Sequence, residues 1–472
     1  MCAKSYYKAV ESFYRSEQYN IKALMRSIAS IGGHQPSGKE CIQIASSIAD
    51  NHPQQKPSAR IFLDVSATSR HDLKTGIERV ARAFMLELIN APPKDYRVEP
   101  VYLTASDGRW HYRFAREFTF DLIDCPSKIL ADDPIDARPG DIVIALDYYA
   151  QGVVESESYL SRLYRDGVKI YFFVFDLLPI LLIDVFPPDA DQIHTKWLKT
   201  VTRYDGTICI SGTVAAELSA WASEHGITKS RQSRISWLHL GADMHGSIPT
   251  LGLPADADMV LRKFSEKVSF LMVGTIEPRK DHLLVIRAFE VLWKEGLDVN
   301  LVIVGSEGWR GLPDEMRRTI PETVQLLRSH KEIQKHVIWL EGISDEYLEK
   351  IYASCNCLIA ASKGEGFGLP LIEAAQHHLP IIARDIPVFR EVAGEHAYYF
   401  DGTDPESLAR SIVEWLRLYR SQQHPYSDDI HWLTWKQSAN QLLNLLGLYQ
   451  DITNSGDQSV NSEHSGEYVS VE

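Results

Sequence analysis

An apolar run, Cys357-Leu358-Ile359-Ala360-Ala361, passes through a glycine-rich turn into a proline-led helical stripe, and that succession leaves few folds open. The run reads as a buried strand. Ile372, Ala374 and Ala375 begin the stripe, and Pro370 suits a first helical turn because its missing N–H costs nothing there. Strand, glycine turn and helix aim free backbone N–H groups and the positive end of a helix at an anion. Glu365 and Glu373 stand eight residues apart around the turn. Ionised carboxylates accept hydrogen bonds from sugar hydroxyls, so a ligand with both an anion and hydroxyls, such as a nucleotide-sugar, fits the element.

The same alternation fills the chain twice. In the first series 60–65 reads as a strand, 66–76 as a polar loop, and 77–89 as a helix with apolar Ile77, Val80, Ala81, Phe84, Met85 and Leu88. Further strands are expected at 141–146, 170–175, 207–210 and 235–241, with a helix from Ser211 through Trp221. Residues 243–257, rich in Gly, Pro, Ala and Asp, mark a boundary. The second series has strands at 270–274, 300–305, 337–340, 357–361 and 380–383. Its helices are expected at 281–294, 345–354 and 370–378, with Asp281 as N-cap of the first. Two more follow at 406–420 and 434–449. Alternation in each half predicts an α/β protein with two Rossmann-like parallel sheets covered by helices. The division expected is 1–56 helical extension and linker, 57–250 and 251–420 the two sheet domains, and 421–450 a loop and helix crossing back to the first. Residues 451–472, almost without apolar side chains, read as a disordered tail.

At 472 residues, two domains are what core size requires. A net charge of −14 argues against duplex nucleic acid as the main partner. Six cysteines, at 2, 41, 125, 209, 355 and 357, make no CxxC pair and no zinc-spaced cluster, which fits core thiols in a reducing cytoplasm. Asp132-Asp133 and Asp428-Asp429 imitate metal-binding pairs but read as turn charges. His377-His378 sit at a spacing that does not share a helix face, so no metal is expected. Residues 1–20 mix charges with aromatics and do not read as a signal peptide. No apolar run reaches the roughly 18–20 residues a bilayer needs; the longest, 170–186, is broken by Asp176, Pro179 and Asp184.

Gly274 ends the 270–274 strand, and Arg279-Lys280 follow just before a helix. Ligands of α/β sheets bind beyond the carboxyl ends of strands, so these cations share an edge with the 364–369 turn and suit a diphosphate. The wider pattern runs Val273-Gly274-Thr275, Arg279-Lys280, Leu301-Val302-Ile303-Val304-Gly305, Gly308-Trp309 and Leu340-Glu341-Gly342. It continues with Glu365-Gly366-Phe367-Gly368-Leu369-Pro370, Glu373-Ala374, Ile386-Pro387-Val388-Phe389-Arg390-Glu391-Val392 and Tyr399-Phe400-Asp401. In that order it resembles the retaining glycosyltransferases of family 4, a GT-B class that uses nucleotide-sugars, over about residues 60–445. One departure is Gln376-His377-His378-Leu379-Pro380, where the family often has a small Gly before the Pro.

The resemblance implies roles residue by residue. Glu365 matches the carboxylate that holds donor-sugar hydroxyls near the reacting carbon, and Glu373 the one that binds ribose hydroxyls. Arg279 and Lys280 match the pair that neutralises the diphosphate leaving group. Backbone N–H groups of Phe367, Gly368 and Leu369 would support phosphate and sugar. In the first domain Lys74-Thr75-Gly76-Ile77-Glu78-Arg79-Val80 resembles the loop facing donor phosphate and acceptor in bacterial polysaccharide mannosyltransferases and their relatives. There Gly76 lets a ligand approach the backbone. Arg79 is an acceptor-side candidate within reach of a phosphate, with an exposed helix arginine as the alternative. Phe175-Asp176-Leu177-Leu178-Pro179 resembles a segment that often reads His-Asp, with Phe175 where His is expected. Asp176 is the second acceptor-side candidate, with a capping or turn role as its alternative. For Ser211 an N-cap is favoured over an acceptor contact.

The function implied is retaining transfer of a sugar, best matched by mannose from GDP-mannose, to a glycan or lipid-linked glycan in bacterial polysaccharide synthesis, without metal or other cofactor. The alternative is a non-catalytic nucleotide-sugar or glycan-binding module of an assembly complex; intact Glu365, Glu373, Arg279 and Lys280 speak against it. A lipid-linked acceptor implies peripheral contact with the inner face of the cytoplasmic membrane. Lys4, Lys8, Arg15, Lys22 and Arg26 offer basic groups for it, with a solvated helix face as the plainer alternative.

Overall fold

The computed structural model describes residues 37–51, 59–70, 76–123, 125–126, 130–227, 234–243, 252–333 and 335–449. The five basic residues named for membrane contact, the 52–58 linker, loop residues 71–75, most of the 243–257 boundary and the tail from 451 lie outside these. Described residues of 37–51 and 116–133 fall in one compact unit, and the rest in another. In the smaller unit Ser37 and Glu40 form a capping box that starts the helix Gly38–Asn51: the Glu40 carboxylate accepts the Ser37 N–H at 2.8 Å. Asp132 there accepts the Arg116 N–H at 2.8 Å, and Asp133 pairs with the Arg116 guanidinium.

The larger unit holds two sheets. The first comprises β1 (Ala59–Asp64), β2 (Tyr96–Ser106), β3 (Arg109–Phe114), β4 (Ile142–Ala145), β5 (Lys169–Val174), β6 (Gly206–Cys209) and β7 (Arg234–Trp237). Its order is β3-β2-β1-β4-β5-β6-β7. The second comprises β8 (Ser269–Val273), β9 (Asn300–Val304), β10 (Val337–Leu340), β11 (Cys357–Ala360), β12 (Ile381–Arg384) and β13 (Tyr398–Phe400), in the order β10-β9-β8-β11-β12-β13. Inner strands such as β4, β9 and β11 are unbroken apolar or buried runs, as strands covered on both faces must be. In each sheet the chain winds outward from one strand and then resumes on its other side, between β1 and β4 and between β8 and β11. Ligands of open α/β sheets bind at such reversals, beyond the carboxyl ends of the strands.

Two expectations need correction. The first sheet is not wholly parallel: β2 and β3 form an antiparallel hairpin that the reading of the sequence did not contain. Its signal was present in Asp107-Gly108, both at positive φ (51° and 69°), the conformation that a two-residue hairpin turn requires. β7 stops at Trp237 rather than 241, and Gly241 instead meets the segment that leads into the last described helix. Gly241 bridges Leu433, and a Cβ on it would lie 2.4 Å from the Trp435 nitrogen. That helix, Trp435–Leu445, opens on a capping box of Thr434 and Gln437. Its Trp435 ring lies 5.9 Å from Phe84 on the helix Gly76–Asn90, so this helix packs against the first sheet's layer.

A carboxylate joins the two sheet layers. Glu391, on the helix Pro387–Ala393, accepts the N–H groups of Gly212 and Thr213 at 2.8 Å each and the Thr213 hydroxyl at 2.6 Å. His239 Nε2 lies 2.8 Å from the same carboxylate. The contact sits on the positive end of the helix Gly212–Glu224, where an anion is favoured. Burial pushes the Glu391 carboxyl up, but the His239 and Thr213 hydrogen bonds and the two backbone donors outweigh it and hold the pKa at about 2. A depressed carboxyl contributes stability that is complete above its ordinary unfolded pKa and shrinks as pH falls from about 5 toward 2. Glu391→Gln is therefore expected to cost about 1–2 kcal/mol at pH 7, after allowance for solvent screening, and distinctly less at pH 3. Urea unfolding at the two pH values checks this; equal losses would contradict it.

Candidate active site

Gly274 follows the end of β8, and the chain then makes the short turn Pro278–Lys280, which presents two cations toward the end of β11. Glu365 lies between them. Its Oε2 accepts from Arg279 Nη1 at 2.8 Å, and its Oε1 from Lys280 Nζ at 2.5 Å and Ser362 Oγ at 2.6 Å. Burial pushes this carboxyl up, yet the Arg279 and Lys280 charges outweigh burial and hold it at about 2. Glu365 is thus ionised at any physiological pH and a poor proton acceptor. Burial opposes the charge on Arg279, but Glu365 and Glu277 on either side raise its pKa and keep it a cation. The Lys363 N–H donates to the Arg279 carbonyl at 2.8 Å, which ties the two loops together.

Asp281 does not cap its helix through its side chain. It occupies the N-cap position in the left-handed conformation, and its carboxylate is taken by Arg384 Nη2 at 2.9 Å and Lys363 Nζ at 3.2 Å. Arg384 also donates to the carbonyls of Ala361 and Gly402, so this pair braces the loops around the site.

The glycines of the turn answer two separate needs. Gly366 meets the other sheet layer: a Cβ there would lie 1.9 Å from the Phe175 carbonyl oxygen. Gly368 has φ +99°, a conformation other residues rarely adopt, and leads directly into the helix Leu369–Gln376 with Pro370 in its first turn. The N–H groups of Phe367, Gly368 and Leu369 donate to no other described residue. A small pocket opens here, lined by Lys280, Ser362, Glu365, Gly368, Pro370 and Phe389 among others. Gly274, next to the lining residue Val273, has φ +140°, and a Cβ there would stand 3.2 Å from Lys280 Cε.

Glu373 is buried on the Leu369–Gln376 helix. It accepts from Tyr352 OH at 2.7 Å and from Arg79 Nη1 at 2.6 Å. Arg79 is therefore not an exposed helix arginine; it reaches from the first sheet's layer to a carboxylate of the second. Asp176 Oδ1 accepts the Leu178 N–H at 3.0 Å and closes the turn after β5. Burial raises its pKa against the charge of nearby Arg279. Ser211 Oγ caps its helix by accepting the Val214 N–H at 3.2 Å and also donates to the Gly366 carbonyl at 2.7 Å. Gly76 begins its helix exposed, with no heavy atom within 4 Å of an added Cβ. Ser362, Tyr352 and the Glu391–His239 contact were not singled out from the sequence; each acts through folding-dependent proximity, without a local motif. His377 stacks on Tyr352, and His378 pairs with Asp428.

Two Rossmann-like sheets with a charged crevice at their strand reversals make this a GT-B fold. Among solved structures, sucrose-phosphate synthase from Thermosynechococcus elongatus matches with a TM-score of 0.57 and 16% identity, over 82% of this chain and 98% of that one. Anabaena HepE in complex with UDP-glucose matches with a TM-score of 0.51 and 12% identity, over 82% and 94%. Residues 257–428 match the family described as Glycosyl transferases group 1. The serotype-specific mannosyltransferase WbdA of Escherichia coli is 40% identical over 392 residues, 82% of this chain and 45% of that protein. The chain thus spans about half the length of the curated relatives it matches. Among the described residues, no helix is long and apolar enough to cross a membrane.

Proposed function

We propose that the chain is a retaining glycosyltransferase that moves mannose from GDP-mannose to a glycan or lipid-linked glycan during bacterial polysaccharide synthesis, working at the cytoplasmic side of the membrane. The observation that carries the reading is Glu365 held between Arg279 and Lys280 beside the start of the Leu369–Gln376 helix. The likeness to a serotype-specific mannosyltransferase over 82% of the chain supports mannose as the sugar.

The hard step is departure of the nucleoside diphosphate. Arg279, Lys280 and the free N–H groups at residues 367–369 meet the charge that grows on it. The acceptor hydroxyl oxygen forms the bond to the anomeric carbon on the face the diphosphate leaves, and the carbon–oxygen bond to phosphate breaks. The acceptor's proton passes to the leaving phosphate oxygen, so the sugar keeps its configuration and no separate base is needed. Glu365, with its low pKa, fits a carboxylate that positions hydroxyls and stabilises positive charge at the sugar. Two side-chain cations serve where a metal would otherwise neutralise the diphosphate. The experiment follows the mannose anomeric proton by NMR when GDP-mannose is supplied with mannoside acceptors.

A further inference from the structure

Arg79 has more hydrogen-bonding capacity than the protein uses. Its Nη1 donates to Glu373 Oε1, while Nε and Nη2 are buried and have no hydrogen-bond partner among the described residues. Buried donors of a guanidinium without partners are costly, and a fork this rigid is suited to a ligand's oxygens. Glu373 is in a complementary position. An ionised carboxylate offers about four acceptor sites, of which Arg79 and Tyr352 take one each. Unfilled acceptors on Glu373 and unfilled donors on Arg79 therefore lie side by side. A vicinal diol supplies the matching set, because each hydroxyl both donates and accepts.

We propose that Arg79 is the second half of a ribose clamp, accepted by neither lobe alone: the diol of the donor's ribose donates to Glu373 and accepts from the Nε and Nη2 groups of Arg79. This rests on the proposed reading, in which Glu373 takes the ribose. Arg79 stands on the helix Gly76–Asn90, next to the first sheet, and Glu373 on the second sheet's helix Leu369–Gln376. A ribonucleotide held by both would favour the joined arrangement of the two layers, and a deoxyribonucleotide would forfeit part of that gain. Arg79 is on this account a donor-selecting residue.

The test measures calorimetric affinities of the full chain for GDP and 2′-deoxy-GDP, and for UDP and 2′-deoxy-UDP. Wild type is expected to favour the ribose form of its preferred base about 10-fold or more. Arg79→Met should reduce that preference at least fivefold. Arg79→Lys keeps a cation for Glu373 but lacks the spare N–H groups, and should reduce it likewise. Because each ratio is internal to one variant, partial loss of stability does not obscure it. A wild-type ratio retained by Arg79→Lys would show that only the ion pair matters and overturn the clamp. Equal binding of ribose and deoxyribose forms by wild type would overturn the clamp while leaving the donor site in place. Failure of wild type to bind any of the four would overturn the clamp and the proposed function together.

Discussion

Lys280→Ala should lower sugar-transfer turnover about 100- to 1,000-fold, the effect of removing one preorganised donor to a developing charge, worth roughly 3–4 kcal/mol. The loss should appear chiefly in kcat, because the ammonium matters most when the leaving diphosphate carries its full charge. The fold should survive. Without Lys280, Glu365 still accepts from Arg279 and Ser362, so no buried carboxylate is stranded. Glu365→Gln should lose activity on the same scale, since it leaves two facing cations without the anion that balances them. Near-normal turnover in a well-folded Lys280→Ala protein would remove that lysine from the mechanism.

Gly366→Ala is expected to be the most damaging small substitution near the site. The added carbon would meet the Phe175 carbonyl at 1.9 Å, and that obstacle is backbone, which cannot rotate aside. The turn would have to withdraw from the end of β5 and release the Ser211–Gly366 hydrogen bond. Overpacking of this kind costs about 1–3 kcal/mol. Glu365 is the adjacent residue, and displacement of a catalytic group by an ångström can cost about 100-fold in rate. A lowered melting temperature and a large loss of turnover are predicted together. Gly311→Ala, at an exposed position with nothing within 4 Å, is the control and should change neither. A Gly366→Ala protein as stable and active as wild type would mean that the two layers do not meet there in solution.

The alternation of apolar runs and helical stripes made the α/β class and most inner strands legible, because a parallel strand buried on both faces leaves a continuous signature such as Ile142-Val143-Ile144-Ala145. Glu365, Arg279 and Lys280 were legible because the glycine turn and the strand end fix their place locally. The hairpin of β2 and β3 was missed although Asp107-Gly108 announced it, since its strands, with Arg97, Glu99, Arg109 and Arg113, lack a clear apolar run. Contacts that join distant segments were beyond reach. Nothing local says that Arg79 meets Glu373 across 294 positions, or that Glu391 caps a helix 179 residues before it. Asp281 shows the same limit: its N-cap position was readable, but the competing Arg384 and Lys363 were not.

The central claim is transfer of a sugar from a nucleotide donor with its configuration kept, and it is tested most directly by NMR on the intact chain. GDP-mannose supplied with a mannoside acceptor should be consumed with release of GDP, and the new anomeric signal should be that of an α-mannoside, the configuration of the donor. The rate should depend on acceptor and collapse in Lys280→Ala. Product of inverted configuration would contradict the retaining mechanism. Failure to consume GDP-mannose, or any UDP-, ADP- or dTDP-sugar, with mannoside or lipid-linked oligosaccharide acceptors would contradict the assignment of this crevice to glycosyl transfer.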